Sequence, residues 1–237
     1  MFFRILISIS LLGCFFLTKG ANDDPLHKAD SLFKSKKYTE AFDLYSTIYA
    51  EGSASPAMLA RMAFIKEGLG NYTEALFYLD HYYKKTSDKK VLEKMRDLAE
   101  ENSLSGFEYS DYKFIVNNIN KYGDLVIMGL LALSLLSLSI IYFKAPKGAS
   151  AAPWLALQLF LLIPAALVLN EFFNDNEAII KQDQTVMMQG PSAGSEPLEL
   201  IAKGNKVKVI EAEPIWTKIR IGETEAYVRS NRLLKLM

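Results

Sequence analysis

Residues Leu125–Phe143 read LVIMGLLALSLLSLSIIYF, with no charged side chain. A short basic loop follows, KAPKGASAA over Lys144–Ala152. Pro153–Phe173 then read PWLALQLFLLIPAALVLNEFF, uncharged until Glu171. Each run is about 20 residues, enough as a helix to cross a hydrocarbon core of roughly 30 Å. The pair predicts a two-span transmembrane hairpin over 124–173. Two consecutive spans return the chain to the side it left, so the segments before and after the hairpin face one compartment.

The N-terminus indicates which compartment. Arg4 precedes an apolar run from Ile5 to Leu17 and then the polar stretch TKGANDD. That layout predicts a signal peptide over 1–21. Leu11-Leu12-Gly13-Cys14 resembles a bacterial lipobox, which would acylate Cys14; an ordinary signal or an uncleaved anchor is the alternative. Lys144 and Lys147, with no acid between the two runs, place the hairpin loop in the cytoplasm under the positive-inside rule. Both flanking segments are then periplasmic or exterior, and the chain is expected in a bacterial inner membrane.

The first flanking segment, 22–104, repeats. Tyr38-Thr39-Glu40-Ala41 recurs 34 residues later as Tyr72-Thr73-Glu74-Ala75. Leu44, Tyr45, Ile48 and Tyr49 follow the first copy; Tyr78, Leu79, Tyr82 and Tyr83 follow the second. Counted from the alanine, both sets fall at i+3, i+4, i+7 and i+8, one wide apolar stripe on a helix. Asn71, with Glu74 three residues on, suits a capping box. The period and the Tyr38, Ala41, Tyr72 and Ala75 pattern resemble a pair of tetratricopeptide (TPR) units, an α-solenoid closed by the amphipathic helix KKVLEKMRDLAEE. The resemblance implies a protein-binding groove. Tyr45, Tyr49, Tyr78 and Tyr82 are its candidate lining, and inter-helix packing is the other use for such a stripe. The connector 105–123 is aromatic and amphipathic, fit either for the membrane surface or for packing on the solenoid. Within the two runs, Gln158 has serines across from it, and Pro164 predicts a kink.

After residue 178 the period becomes two. Strands are expected at Thr185–Met188, Leu198–Ile201, Lys206–Ile210, Trp216–Ile221 and Ala226–Val228, each bounded by Gly, Pro or Asn. Five short strands imply a small all-β barrel over 178–237. Gly190-Pro191-Ser192, Trp216-Thr217-Lys218-Ile219 and Ala226-Tyr227-Val228 resemble bacterial SH3-like domains. Trp216 and Tyr227 are candidate ligand residues, or else they seal the core.

Composition excludes several chemistries. Net charge is zero, so no basic field points to nucleic acid. One cysteine and two distant histidines, His27 and His81, provide no disulfide framework, metal-ligand set or nucleophilic triad. No glycine-rich phosphate loop occurs. The expectation is a non-enzymatic adaptor without a cofactor.

The order signal peptide, TPR pair, two-span hairpin and SH3-like domain resembles the BatE-like proteins of the Bacteroidetes Bat aerotolerance system. That resemblance implies scaffolding of von Willebrand A-type Bat proteins and a MoxR-type ATPase under envelope or oxidative stress. The alternative is a membrane-anchored module that binds or senses peptidoglycan.

Overall fold

The computed structural model describes residues 24–144, 152–169 and 176–236. The expected signal peptide, Cys14 and Lys147 lie outside the described residues. The chain divides into two compact units, one ending at Met58 and the other beginning at Leu59.

In the first unit, α1 (Pro25–Lys34) and α2 (Tyr38–Ala50) form a helical hairpin. Pro25 sits in the first turn of α1, and Asp24 caps it by accepting the Leu26 N–H at 3.1 Å. Ala29, Ala41 and Tyr45 are fully buried. The small alanine lets the two helices approach closely. α3 (Pro56–Gly68) spans the unit boundary.

The second unit begins with the rest of α3, followed by α4 (Tyr72–Thr86) and α5 (Lys89–Glu101). The turns that end α1 and α3 are the same device 34 residues apart. The N–H groups of Lys36 and Lys37 bond to the carbonyls of Phe33 and Leu32 at 3.0 and 2.9 Å. Those of Gly70 and Asn71 bond to Glu67 and Lys66 at 2.9 and 2.8 Å. Both are Schellman turns. The capping box forms only in half. Asn71 accepts the Glu74 N–H at 3.4 Å, but its own N–H is taken by Lys66, and the Glu74 carboxylate pairs with the Lys66 ammonium at 2.6 Å. In α5, Met95, Leu98 and Ala99 are buried, the stripe the sequence marks.

α6 (Asp111–Lys144) is one continuous helix. The connector from Asp111 onward and the first apolar run are therefore a single helix. Among the described residues it is long and apolar enough to cross a membrane; α7 (Ala152–Leu169) is apolar but shorter. Ser134 donates to Gln158 Oε1 at 2.7 Å, and Gln158 Nε2 donates to Ser137, joining the two helices.

The rest is an antiparallel sheet of seven strands: β1 (Glu177–Ile180), β2 (Thr185–Met188), β3 (Pro197–Ile201), β4 (Lys206–Ala212), β5 (Trp216–Ile221), β6 (Thr224–Arg229) and β7 (Leu233–Leu236). Their spatial order is β3-β2-β6-β5-β4-β1-β7. Alternation sorts the faces. Thr217, Ile219, Ala226 and Val228 point inward with Ala178, Ile180, Val207 and Leu233. Trp216, Lys218 and Arg220 lie outward, opposite Arg229, Tyr227 and Glu225. Two strands exceed the sequence expectation. EAII and LLKL are runs of four residues, three of them apolar, too short to display a period.

Candidate functional site

A lysine lies at the centre of the second unit. Lys206 begins β4, two residues from Lys208 in the alternating run KVKV. Lys208 is exposed, yet the Lys206 side chain is only 2% exposed. Its ammonium lies 2.8 Å from Asp80 Oδ1 on α4 and pairs with Glu177 on β1. The Tyr109 hydroxyl accepts from it at 3.5 Å, and the rings of Tyr109 and Phe107 lie at 5.2 and 5.8 Å. Outer cations complete the network. Lys84 sits 3.6 Å from Asp80 Oδ2, and Lys113 of α6 sits 2.7 Å from Glu177 Oε1.

The backbone holds Lys206 in this place. Its N–H bonds to the Ser105 carbonyl at 2.9 Å, and Ser105 donates its N–H and hydroxyl to Asn205 Oδ1. Gly106 and Gly204 both have φ of +89°. A Cβ on Gly106 would stand 2.2 Å from the Lys206 carbonyl oxygen, and one on Gly204 would stand 2.9 Å from Leu104. The loop after α5 and the turn before β4 meet where only glycine fits.

Charge and burial oppose each other here. Burial raises the Asp80 carboxyl, but Lys206 and Lys84 outweigh it and hold the group below the ordinary carboxylate range. Burial lowers Lys206, but Asp80 and then the other partners outweigh it, holding the amine above its usual value. Burial pushes the Tyr109 phenol up, so it stays protonated. Beside Asp80, burial brings the His81 imidazole down to about 4, so it is neutral at pH 7. A cavity of about 60 Å³ adjoins the cluster, lined by Asp80, Tyr83, Tyr109, Asn117, Asn120 and Lys206. Asp80 Oδ2 and the Tyr83 hydroxyl are buried without a hydrogen-bond partner among the described residues, and the cavity is wide enough for water to reach them.

The base of α6 is fastened to the same body. Asn117 donates to Ser87 Oγ at 2.9 Å, Lys121 donates to the Thr86 carbonyl at 2.9 Å, and Lys89 lies 4.3 Å over the Phe114 ring. These contacts cover the C-terminus of α4, where basic groups are favoured.

A second feature lies on the outer face of the sheet. A groove of about 380 Å³ is lined by Val186, Met188, Pro197, Trp216, Arg229 and Arg232, among others. The Arg229 guanidinium sits 5.5 Å over the Trp216 ring.

The sequence-marked residues have distinct fates. Tyr45 is fully buried and its hydroxyl donates to Asp30 at 2.7 Å, a packing role. Tyr78 is also buried, edge-on to Phe77 at 5.2 Å. Tyr49 and Tyr82 are half-buried, and burial raises the Tyr49 phenol. Ala41 and Ala75 are sealed, Tyr38 packs edge-on against Phe33 at 5.4 Å, and Tyr72 is 36% exposed. Trp216 lines the groove; Tyr227 shares its face one diagonal away, opposite Lys218 and Met188. Sequence reasoning missed Asp80, Tyr109, Glu177 and Lys206. One signal was present: Asp80 falls on the stripe Leu76, Leu79, Tyr83 at helical spacing, a charge where packing demands an apolar residue.

No family model matches this chain, and no curated protein or solved structure was found similar to it.

Proposed function

We infer that this chain is a non-enzymatic adaptor, anchored in a bacterial inner membrane by two spans. Its TPR-like repeats and its SH3-like barrel both stand in the periplasm and assemble other membrane proteins. The observation that carries this reading is the Lys206 cluster. One buried ammonium ties α4, β1 and β4 together, and Lys113 adds the root of the apolar helix α6. A buried, mutually paired network of this kind fixes geometry more than it adds stability. Fixed geometry is what a scaffold needs when two binding surfaces must face partners held in the same bilayer. The identical Schellman turns at the 34-residue period support the TPR reading, and the Gln158–Ser134 bond supports the paired spans.

The partners proposed are von Willebrand A-type Bat proteins working with a MoxR-type ATPase, as in BatE-like proteins. The test is a tagged pull-down from gently solubilised native membranes, read by mass spectrometry, with the Ala41→Arg and Ala75→Arg variants alongside. Von Willebrand A-type proteins are expected with the parent chain and lost with both variants. Recovery undiminished by either arginine would remove the repeats from the role of platform.

A further inference from the structure

On the outer face of the sheet, cations have two different fates. At one end Lys218 and Arg220 share Glu225, which lies 2.7 Å from the lysine and which they hold down to about 2. At the other end Arg229 and Arg232 engage no carboxylate among the described residues, and both line the groove beside Trp216. Arg229 rests on the Trp216 ring, which orders the guanidinium and leaves its N–H fork for an incoming group.

The strands part at the same place. β2 pairs with β6 only at Met188 with Tyr227. Antiparallel register continued from that pair would set Val186 against Arg229. No pairing forms there, and the groove runs between Gln184–Val186 on one wall and Trp216, Arg229 and Arg232 on the other. The groove therefore reaches the part of β2 that does not pair with β6, beside Trp216, Arg229 and Arg232. Val186, Met188 and Pro197 make that wall apolar, which suits side chains of a peptide rather than a bare headgroup.

We propose that the cleft between β2 and β6 binds an acidic peptide segment of a partner protein in extended conformation. Arg229 and Arg232 clasp a carboxylate, and the neighbouring residue lies on Trp216. Charge complementarity selects this occupant: two arginines that line one groove and engage no carboxylate among the described residues match a planar carboxylate in bidentate geometry. The proposal rests on reading the sheet as a binding module, and it is tested without recovering any complex.

The full chain in lipid nanodiscs is applied to an array of random heptapeptides. Bound sequences are expected to be enriched in Asp and Glu. Binding should fall about tenfold in Arg229→Gln and in Arg232→Gln, and remain in Arg220→Gln, whose guanidinium Glu225 already holds. Arg229→Lys keeps the charge, loses the fork, and should fall between. Enrichment of neutral or basic peptides, no enrichment, or equal binding by Arg229→Gln overturns the proposal. So does arginine-dependent retention on isolated sacculi or on phosphatidylglycerol vesicles without any peptide selection, which assigns the cleft to the wall or to lipid. If a glutamine variant melts early, the peptide preference of the unaltered chain still decides.

Discussion

Replacing Lys206 by Met isolates the contribution of one buried charge. The methionine fills much of the same volume, so the packing loss is small and the electrostatic loss dominates. Asp80, fully buried, and Glu177, half-buried, are then left as carboxylates sharing a site. Removing one partner of a buried pair costs roughly 3–5 kcal/mol. Two remaining cations soften this, since Glu177 keeps Lys113 at 2.7 Å and Asp80 keeps Lys84 at 3.6 Å. The lower end, about 3 kcal/mol, is therefore expected. For a chain of this size that corresponds to a loss of roughly 6–12 °C in melting temperature. Thermal melting in detergent would measure it, with hydrogen exchange at residues 103–110 and 203–206 as the local readout. Exchange there should rise before the rest of the sheet opens. The double variant Lys206→Met with Asp80→Leu should recover part of the loss, because no unpaired charge remains on α4. A Lys206→Met protein that melts within about 2 °C of the parent, with unchanged exchange, would refute the cluster as the fastening point.

Acid should weaken the fold in two stages. His81 has its folded value depressed to about 4, so stability falls as pH drops from 6.5 toward 4, where only the unfolded chain takes the proton. Asp80 is also depressed, and its contribution is lost as pH falls below 3.8. Lys206 is elevated, so its contribution holds below 10.5 and fades only as pH rises above that value. A melting series across pH 3–11 checks all three signs, and His81→Phe should flatten the first stage. Gly106→Ala should cost well over 1 kcal/mol, since it combines a positive φ with a backbone clash, and Gly204→Ala about 1 kcal/mol from its positive φ, because Leu104 can give way; denaturant melts would show both. Tyr45→Phe should cost about 1 kcal/mol by leaving Asp30 without that donor. Gln158→Leu should cost only about 0.6 kcal/mol, measured as loss of helix-pair stability in micelles.

Much of the local structure was legible because local chemistry dictates it. Asn71 stands where the second repeat's helix must be capped, and β5 has the Trp216–Ile221 limits that its alternation marks. The sheet's first and last strands in the chain, β1 and β7, were not legible, because four residues are too few to carry a period. The burial of Lys206 is illegible for a stronger reason. Strand alternation sees only one sheet with two faces, whereas α4 and the Ser105–Tyr109 loop lie against the first residue of β4. What turns that lysine inward is a tertiary contact made by Asp80, over a hundred residues upstream. The groove was half legible: Trp216 was marked, but the arginines were not, since that they meet no carboxylate among the described residues is visible only once Glu225 is seen to satisfy their neighbours.

The unbroken course of α6 has a mechanical consequence. A continuous helix rooted by Lys113, Asn117 and Lys121 acts as a lever, with the root as its fulcrum. Twenty residues of it span roughly 30 Å, so a 10° change in tilt moves the far end by about 5 Å relative to the root. Membrane helices adjust their tilt to bilayer thickness. Where α6 crosses a bilayer as proposed, a thinner or thicker membrane re-aims the whole sheet, and with it the direction in which Trp216 and its arginines present themselves.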